Sequence, residues 1–209
     1  MRLCLLSLLI AGPAPAGEPA MLPVADHARW QAIGRLNRDG YRDRGMCTAT
    51  LIGPDLVLTA AHCLRDGTGG AVRPERLRFL AGWLRGEAAA IARIASVEMA
   101  ATGPAATATD RALLRLAAPV TTIRPLPLAA PDPGRPARIL GYRRDRPHAL
   151  SDAGDCALEL LPGGTMRLGC PVTSGNSGGP VLQRGEAGWQ VVGIVSATDG
   201  RETLAAPLP

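Results

Sequence analysis

The chain has 209 residues, 46% of them hydrophobic, which is enough for one layered domain or two small lobes with a real core and too few for an appended second module. That composition excludes a disordered chain, and with aromatics at 3% the core must be built from Leu, Val, Ile and Ala. The net charge of +5 is modest, and the arginines are scattered apart from Arg143, Arg144 and Arg146, a cluster that reads as a solvated loop, so no nucleic-acid partner is expected.

Arg2, the apolar run 3–10 and Ala14-Pro15-Ala16 read together as an export signal cleaved after Ala16. A membrane span needs roughly 20 apolar residues, over twice this run. Residues 1–16 are therefore assigned as a signal peptide, and the location as secreted or periplasmic with no membrane contact after its removal. Removal takes Cys4 and leaves Cys47, Cys63, Cys156 and Cys170. An even set in an exported chain points to disulfides, with three pairings open. No C-x-x-C or H-x-x-x-H spacing is present, so no metal is expected.

Residues 17–32 read as a loose lead-in. From Ile33 onward, short apolar runs alternate with Gly, Pro and Asp, at 47–52, 56–59, 77–81, 112–116, 137–142 and 191–196. Runs this short and this frequently punctuated predict an all-β barrel or sandwich. Residues 88–101 fit a helix as well as a strand, since Ile91, Ile94 and Val97 recur every three residues. Prolines 119, 125, 127, 131, 133 and 136 mark a connection over 119–136, because proline cannot donate to a central strand. The chain then divides into a first lobe at 33–118 and a second at 137–209.

Gly175-Asn176-Ser177-Gly178-Gly179 could present a serine hydroxyl on a sharp turn and leave backbone N–H groups free for an oxyanion, although a structural Gly/Ser turn has the same composition. Chain order narrows the choice. A nucleophilic serine needs a histidine base, itself oriented by an acid. Hydrolases of the G-x-S-x-G elbow type place the histidine after the serine, whereas His27, His62 and His148 all precede Ser177. An acid-before-histidine order finds Asp26, Asp39, Asp43 and Asp55 in no recognisable setting. The order His, Asp, Ser remains.

Leu58-Thr59-Ala60-Ala61-His62-Cys63, the Asp110-headed apolar strand 110–116, Ser174-Gly175-Asn176-Ser177-Gly178-Gly179-Pro180-Val181 and Gly193-Ile194-Val195-Ser196 resemble, in this order, motifs of the chymotrypsin-like serine proteases. The resemblance is to their bacterial trypsin-like and glutamyl-endopeptidase-like branch, and runs from about Ile33 to Ala206. It implies two packed six-stranded-type β-barrels with the active site in the cleft between them. His62 would be the general base, Asp110 its orienting acid, Ser177 the nucleophile, and the N–H groups of Gly175 and Ser177 the oxyanion hole. Ser196 would hydrogen-bond Asp110 and, with Ala197, line the substrate cleft. The resemblance also implies the pairings Cys47–Cys63 and Cys156–Cys170, a monomer acting on protein or peptide substrates, and no cofactor. His27 and His148 are expected to be bystanders.

The chain departs from the family in three places. Pro171 stands six before Ser177, where trypsin-type enzymes keep an acid, and Val195 stands where glutamyl endopeptidases keep a histidine, so neither specificity carries over. Asn176 replaces the aspartate that receives a newly freed amino terminus in trypsin-type zymogens. A buried ammonium would lack its counter-charge there, so the oxyanion loop is expected to be held by its own hydrogen bonds, Asn176 among them.

Overall fold

The computed structural model describes residues 17–39, 45–99 and 107–208. The signal-peptide assignment lies outside them. Among the described residues no helix is long and apolar enough to cross a membrane.

The first lobe is a closed antiparallel barrel. Its strands are β2 (Ile33–Arg38), β3 (Gly45–Gly53), β4 (Leu56–Thr59), β5 (Leu77–Ala81), β6 (Ala90–Met99) and β7 (Ala112–Leu116), in the order β2-β3-β4-β7-β6-β5, with β5 pairing back onto β2. Leu36, Leu51, Val57, Leu77, Phe79 and Leu114 fill its interior. The stretch that fits either helix or strand is strand β6. Ala92 and Ile94 alternate inward while Ile91, 69% exposed, faces out, because β5 and β7 supply a ladder on each side.

The second lobe comprises β1 (Ala20–Met21), β8 (Ala137–Tyr142), β9 (Leu150–Cys156), β10 (Leu158–Leu160), β11 (Met166–Leu168), β12 (Pro180–Gly185), β13 (Gly188–Thr198) and β14 (Thr203–Pro207), ordered β1-β9-β8-β12-β13-β14-β11-β10. This sheet has eight strands and no closing ladder, where a six-stranded barrel was expected. Its shape is nonetheless a barrel. Strands β9 and β10 are separated only by Ala157, so one bent segment pairs with β8 on one side and β11 on the other. Counting that segment once and setting β1 aside leaves six. The Cys156–Cys170 disulfide (Cα–Cα 5.5 Å) and the Gly169 N–H to Ala157 carbonyl bond of 3.0 Å fasten the seam.

The lead-in is not loose. Strand β1 pairs with β9, and a 3₁₀ helix over Val24–Trp30 buries His27 and Trp30. His27 Nδ1 lies 3.0 Å from the Pro23 carbonyl, and its Nε2 accepts from the Leu150 N–H at 3.1 Å, so this histidine clips the segment to the second lobe. The Pro-rich connection is tied to both lobes. Leu126 N–H donates to Leu51 O at 3.0 Å, and Ala129 N–H and Pro127 O bond Val191 at 2.9 and 2.8 Å. Between the lobes the Tyr142 hydroxyl donates to Trp83 O at 2.8 Å, and Trp83 Nε1 to Pro147 O at 3.0 Å. Burial pushes the Tyr142 phenol's pKa well up, so it stays a donor.

Candidate active site

Strands β4 and β7 pair with Thr59 opposite Ala112. Both chains leave this ladder at the same end, which brings His62 and Asp110 together across 48 residues of sequence. After β4 the chain makes a 3₁₀ turn over Ala61–Leu64. Residues three apart share a face in such a turn, so Ala61 and Leu64 are fully buried while the His62 side chain stays 44% exposed. The Cys47–Cys63 disulfide (Cα–Cα 6.1 Å) ties this turn to β3.

His62 Nδ1 lies 2.7 Å from Asp110 Oδ2, and the His62 backbone N–H donates to Oδ1 at 2.9 Å. The Ser196 hydroxyl, from the far end of β13, donates to Oδ2 at 2.5 Å. Three donors thus converge on one carboxylate whose side chain is 15% exposed. Burial raises its pKa, but the hydrogen bonds from the His62 ring and Ser196, the charge of His62 and the His62 backbone N–H outweigh that effect. Asp110 is held below the ordinary carboxylate range. An ionised carboxylate can only accept, so Nδ1 carries a proton, which in the neutral ring leaves Nε2 as the acceptor.

Ser177 sits in the turn before β12 and lines the same cleft as His62, Ser174 and Gly175; the cleft has a volume of about 270 Å³. Gly175 has φ +101° and Gly178 φ +76°, a region other residues resist. A Cβ at Gly175 would also lie 2.8 Å from the Arg144 nitrogen and the Tyr142 oxygen. The loop is held from three directions. Within it, the Gly179 N–H donates to Asn176 O at 2.8 Å and the Thr173 N–H to Asn176 Oδ1 at 2.9 Å. From β13, Val195 O accepts the Gly178 N–H at 2.8 Å. From the segment after β8, Arg144 N–H donates to Ser174 O at 2.7 Å, and from β3, Thr48 N–H donates to Ser177 O at 2.9 Å and the Thr48 hydroxyl to Gly175 O at 2.8 Å. Asn176, fully buried, also donates from Nδ2 to Tyr142 O at 3.4 Å, so Asn176 is a partner as expected, while most of the bonds that hold the loop come from segments outside it.

Thr48, Thr59 and Tyr142 were not singled out by sequence. Thr48 is the hub of the cradle: its hydroxyl also accepts from Tyr142 N–H at 2.8 Å, and its carbonyl accepts the Thr59 hydroxyl at 2.9 Å. Their partners lie 11 to 127 residues away, so no local pattern marks them. Of the expected residues, Ala197 is exposed beside Ser196, and His148 is exposed on a loop away from this cleft. Arg143 is buried, contrary to the solvated loop read from the arginine cluster, while Arg144 and Arg146 are exposed. Potential metal donors of Cys47, His62 and Cys63 lie within 4.8 Å of one another, but the two sulfurs are bonded to each other and offer no thiolate.

The trypsin-like peptidase domain family model matches residues 47–194, from the first bridging cysteine to the middle of β13. Among solved structures, the chain is similar to the thermostable serine protease AL20 from an extremophilic microorganism, with 21% identity, a TM-score of 0.71, and coverage of 86% of this chain and 92% of that one. It is also similar to protease Anisep from Arthrobacter nicotinovorans, with 16% identity, a TM-score of 0.71, and coverage of 85% and 90%. At these identities the likeness is one of fold, whereas the family match spans well over half of the sequence. The chain belongs to the trypsin-like peptidase domain family, and is a serine-type peptidase.

Proposed function

We propose that the protein is a secreted serine endopeptidase that cleaves peptide bonds through an acyl-enzyme, with His62, Asp110 and Ser177 as its triad. The observation that carries this reading is the hydrogen-bonded array Ser196–Asp110–His62, whose His62 lines one cleft with the glycine-flanked Ser177. With Nδ1 held by Asp110, Nε2 of His62 takes the Ser177 proton as Oγ attacks the scissile carbonyl. The imidazolium that results faces a carboxylate already ionised, which stabilises it without a proton leaving Nδ1. The N–H groups of Gly175 and Ser177 receive the oxyanion. His62 then protonates the leaving amine, and water reverses the sequence to release the acid. The acyl half of the substrate lies along Ser196 and Ala197. Export is supported by residues 1–16 and is compatible with the two disulfides.

Labelling with a fluorophosphonate tests the reading directly. The probe should modify Ser177, and Ser177→Ala should fold yet lose roughly 10⁴-fold or more in turnover. A variant keeping over a tenth of wild-type hydrolysis would remove Ser177 from the mechanism. Amino-terminal sequencing of the exported protein tests cleavage after Ala16.

A further inference from the structure

The oxyanion donors assigned above are the N–H groups of Gly175 and Ser177. Among the described residues neither N–H has an acceptor. A trans peptide sets its N–H and C=O on opposite sides, so each N–H is aimed by whatever holds the carbonyl of the same unit. For the Gly175 N–H that carbonyl is Ser174 O, which accepts from the Arg144 N–H at 2.7 Å. For the Ser177 N–H it is Asn176 O, which accepts from the Gly179 N–H at 2.8 Å. Gly175, at φ +101° and without a Cβ, offers little resistance of its own to rotation of the units on either side of it. Holding one unit leaves the residue free to swing about the other; holding both fixes it.

The second unit is held by Thr48. Its hydroxyl donates to Gly175 O at 2.8 Å, and its backbone N–H donates to Ser177 O at 2.9 Å, so one residue grips the carbonyls of both oxyanion donors. The direction of the hydroxyl proton is fixed by its neighbours. The Tyr142 N–H, 2.8 Å away, can only donate, and Gly175 O can only accept, so a lone pair faces the first and the proton the second. Thr48 is fully buried, and a β-branched side chain is stiff at its first torsion, so the hydroxyl is aimed without competition from solvent. The Thr48 carbonyl accepts from the Thr59 hydroxyl at 2.9 Å, and Thr59 ends the strand that leads into the His62 turn.

We propose that Thr48 is a positioning residue of the reaction, whose side-chain hydroxyl locks the peptide units around Gly175 so that the Gly175 N–H meets the developing oxyanion. The proposal rests on the peptidase reading and adds to that site a residue that acts through Gly175. An oxyanion donor is effective because it is aimed before charge develops, at no cost of reorganisation during the reaction. Without the hydroxyl, Gly175 O and the Tyr142 N–H lose a partner in a buried place. Rotation of the Gly175 units toward another donor would relieve that loss and carry the N–H out of line.

The test compares two side chains. Thr48→Val keeps the shape and removes the hydroxyl, whereas Thr48→Ser keeps the hydroxyl and removes the methyl group. Active sites are counted by fluorophosphonate titration, so that misfolded protein does not enter the rate. On a peptide amide substrate Thr48→Val should lower kcat by roughly 10- to 100-fold, the scale for a displaced oxyanion donor. KM should stay within about threefold, because the interaction is made in the transition state. A peptide boronic acid, whose tetrahedral adduct on Ser177 sets an oxygen at the same N–H groups, should bind more weakly by the factor lost in kcat/KM. Thr48→Ser should bring both quantities back to within about threefold of wild type. If Thr48→Val does not fold, Thr48→Ala carries the same expectation. A hydroxyl-free variant with kcat within about twofold of wild type, or a loss confined to KM, overturns the proposal. So does a Thr48→Ser variant as slow as Thr48→Val, which would assign the effect to packing. These outcomes leave the peptidase reading standing. A wild-type protein that neither cleaves peptides nor takes up the label removes that reading, and this one with it.

Discussion

The guanidinium of Arg143 is 2% exposed and donates to Glu18 Oε2 at 2.6 Å, across 125 residues of sequence. It also donates to Pro19 O at 2.8 Å and to both oxygens of Asp145, at 3.0 and 2.8 Å. These bonds, chiefly that to Asp145, outweigh burial and keep it firmly charged. Arg143 stands between Tyr142 and Arg144, whose backbones cradle the nucleophile loop, so the amino-terminal strap is fastened to that cradle by a side chain. Arg143→Ala should cost about 1–3 kcal/mol, the range for orphaning buried hydrogen-bond partners, and should lower kcat more than it raises KM. Glu18→Gln, at a residue 65% exposed, should cost under about 1 kcal/mol. Urea unfolding and steady-state kinetics on the same preparations separate the two effects.

The buried amide of Asn176 carries a prediction about activation. Its Nδ2 donates to Tyr142 O and its Oδ1 accepts from Thr173, so both ends are used without a buried ammonium. A mature chain starting at Gly17 with an added amino-terminal tag should titrate as fully active. If it is inert until cut near Ile33, a zymogen mechanism operates. Asn176→Asp would set a carboxylate against the Tyr142 carbonyl in a buried place, which disfavours the charged form. A folded pKa above the unfolded value of about 3.9 means the penalty is absent in acid and grows as pH rises through that value. The variant should therefore lose stability, by about 1–3 kcal/mol, at pH 7 relative to pH 4; equal losses at both would exclude titration as the cause.

Asp110 titrates with the opposite sign. Burial opposes ionisation, but the hydrogen bond from the His62 ring leads the effects that bring its folded pKa below the ordinary value. Its contribution to stability is present above pH about 3.9 and is lost as pH falls through the folded pKa. Ser196→Ala removes one of the lowering hydrogen bonds and moves the folded pKa up. The rise in unfolding free energy between about pH 2 and pH 5 should then be smaller than in the wild type, and Ser196→Thr should restore it. A wild-type slope in Ser196→Ala would show that the 2.5 Å contact does not tune this carboxylate.

Each disulfide closes a short loop, with sequence separations of 16 and 14. In the chain-entropy view each contributes roughly 3 kcal/mol. Replacing Cys156 and Cys170 together by alanine opens the barrel seam at Ala157 but leaves the His62 turn tied to β3. It should lower stability by about that amount, at smaller cost to kcat than removal of the Cys47–Cys63 bridge. Non-reducing peptide maps should show these two pairs alone, and crossed pairs would refute the arrangement.

The β architecture and the motifs around His62, Asp110 and Ser177 were legible in the sequence, because they are short and contiguous, and the meeting of Ser196 with Asp110 was implied by the resemblance to the chymotrypsin-like proteases. An acid opening an apolar strand, a histidine in a small-residue turn and a serine between glycines each need only local backbone geometry to be recognised. Strand β6 was ambiguous because Ile91, Ile94 and Val97 satisfy two periods at once, and only the ladders to β5 and β7 chose between them. The burial of Arg143, the clip at His27 and the Thr48 hub were invisible for one physical reason. Their partners lie 124, 123 and 127 residues away, and a polar side chain shows its environment only when a distant segment folds over it. The sequence by itself supplied the motifs whose resemblance implied which residues meet at Asp110; the tertiary structure decided what holds the Ser177 loop in shape beyond Asn176, because the loop's other hydrogen bonds are donated and accepted by backbone and hydroxyl groups that any strand of similar composition would carry.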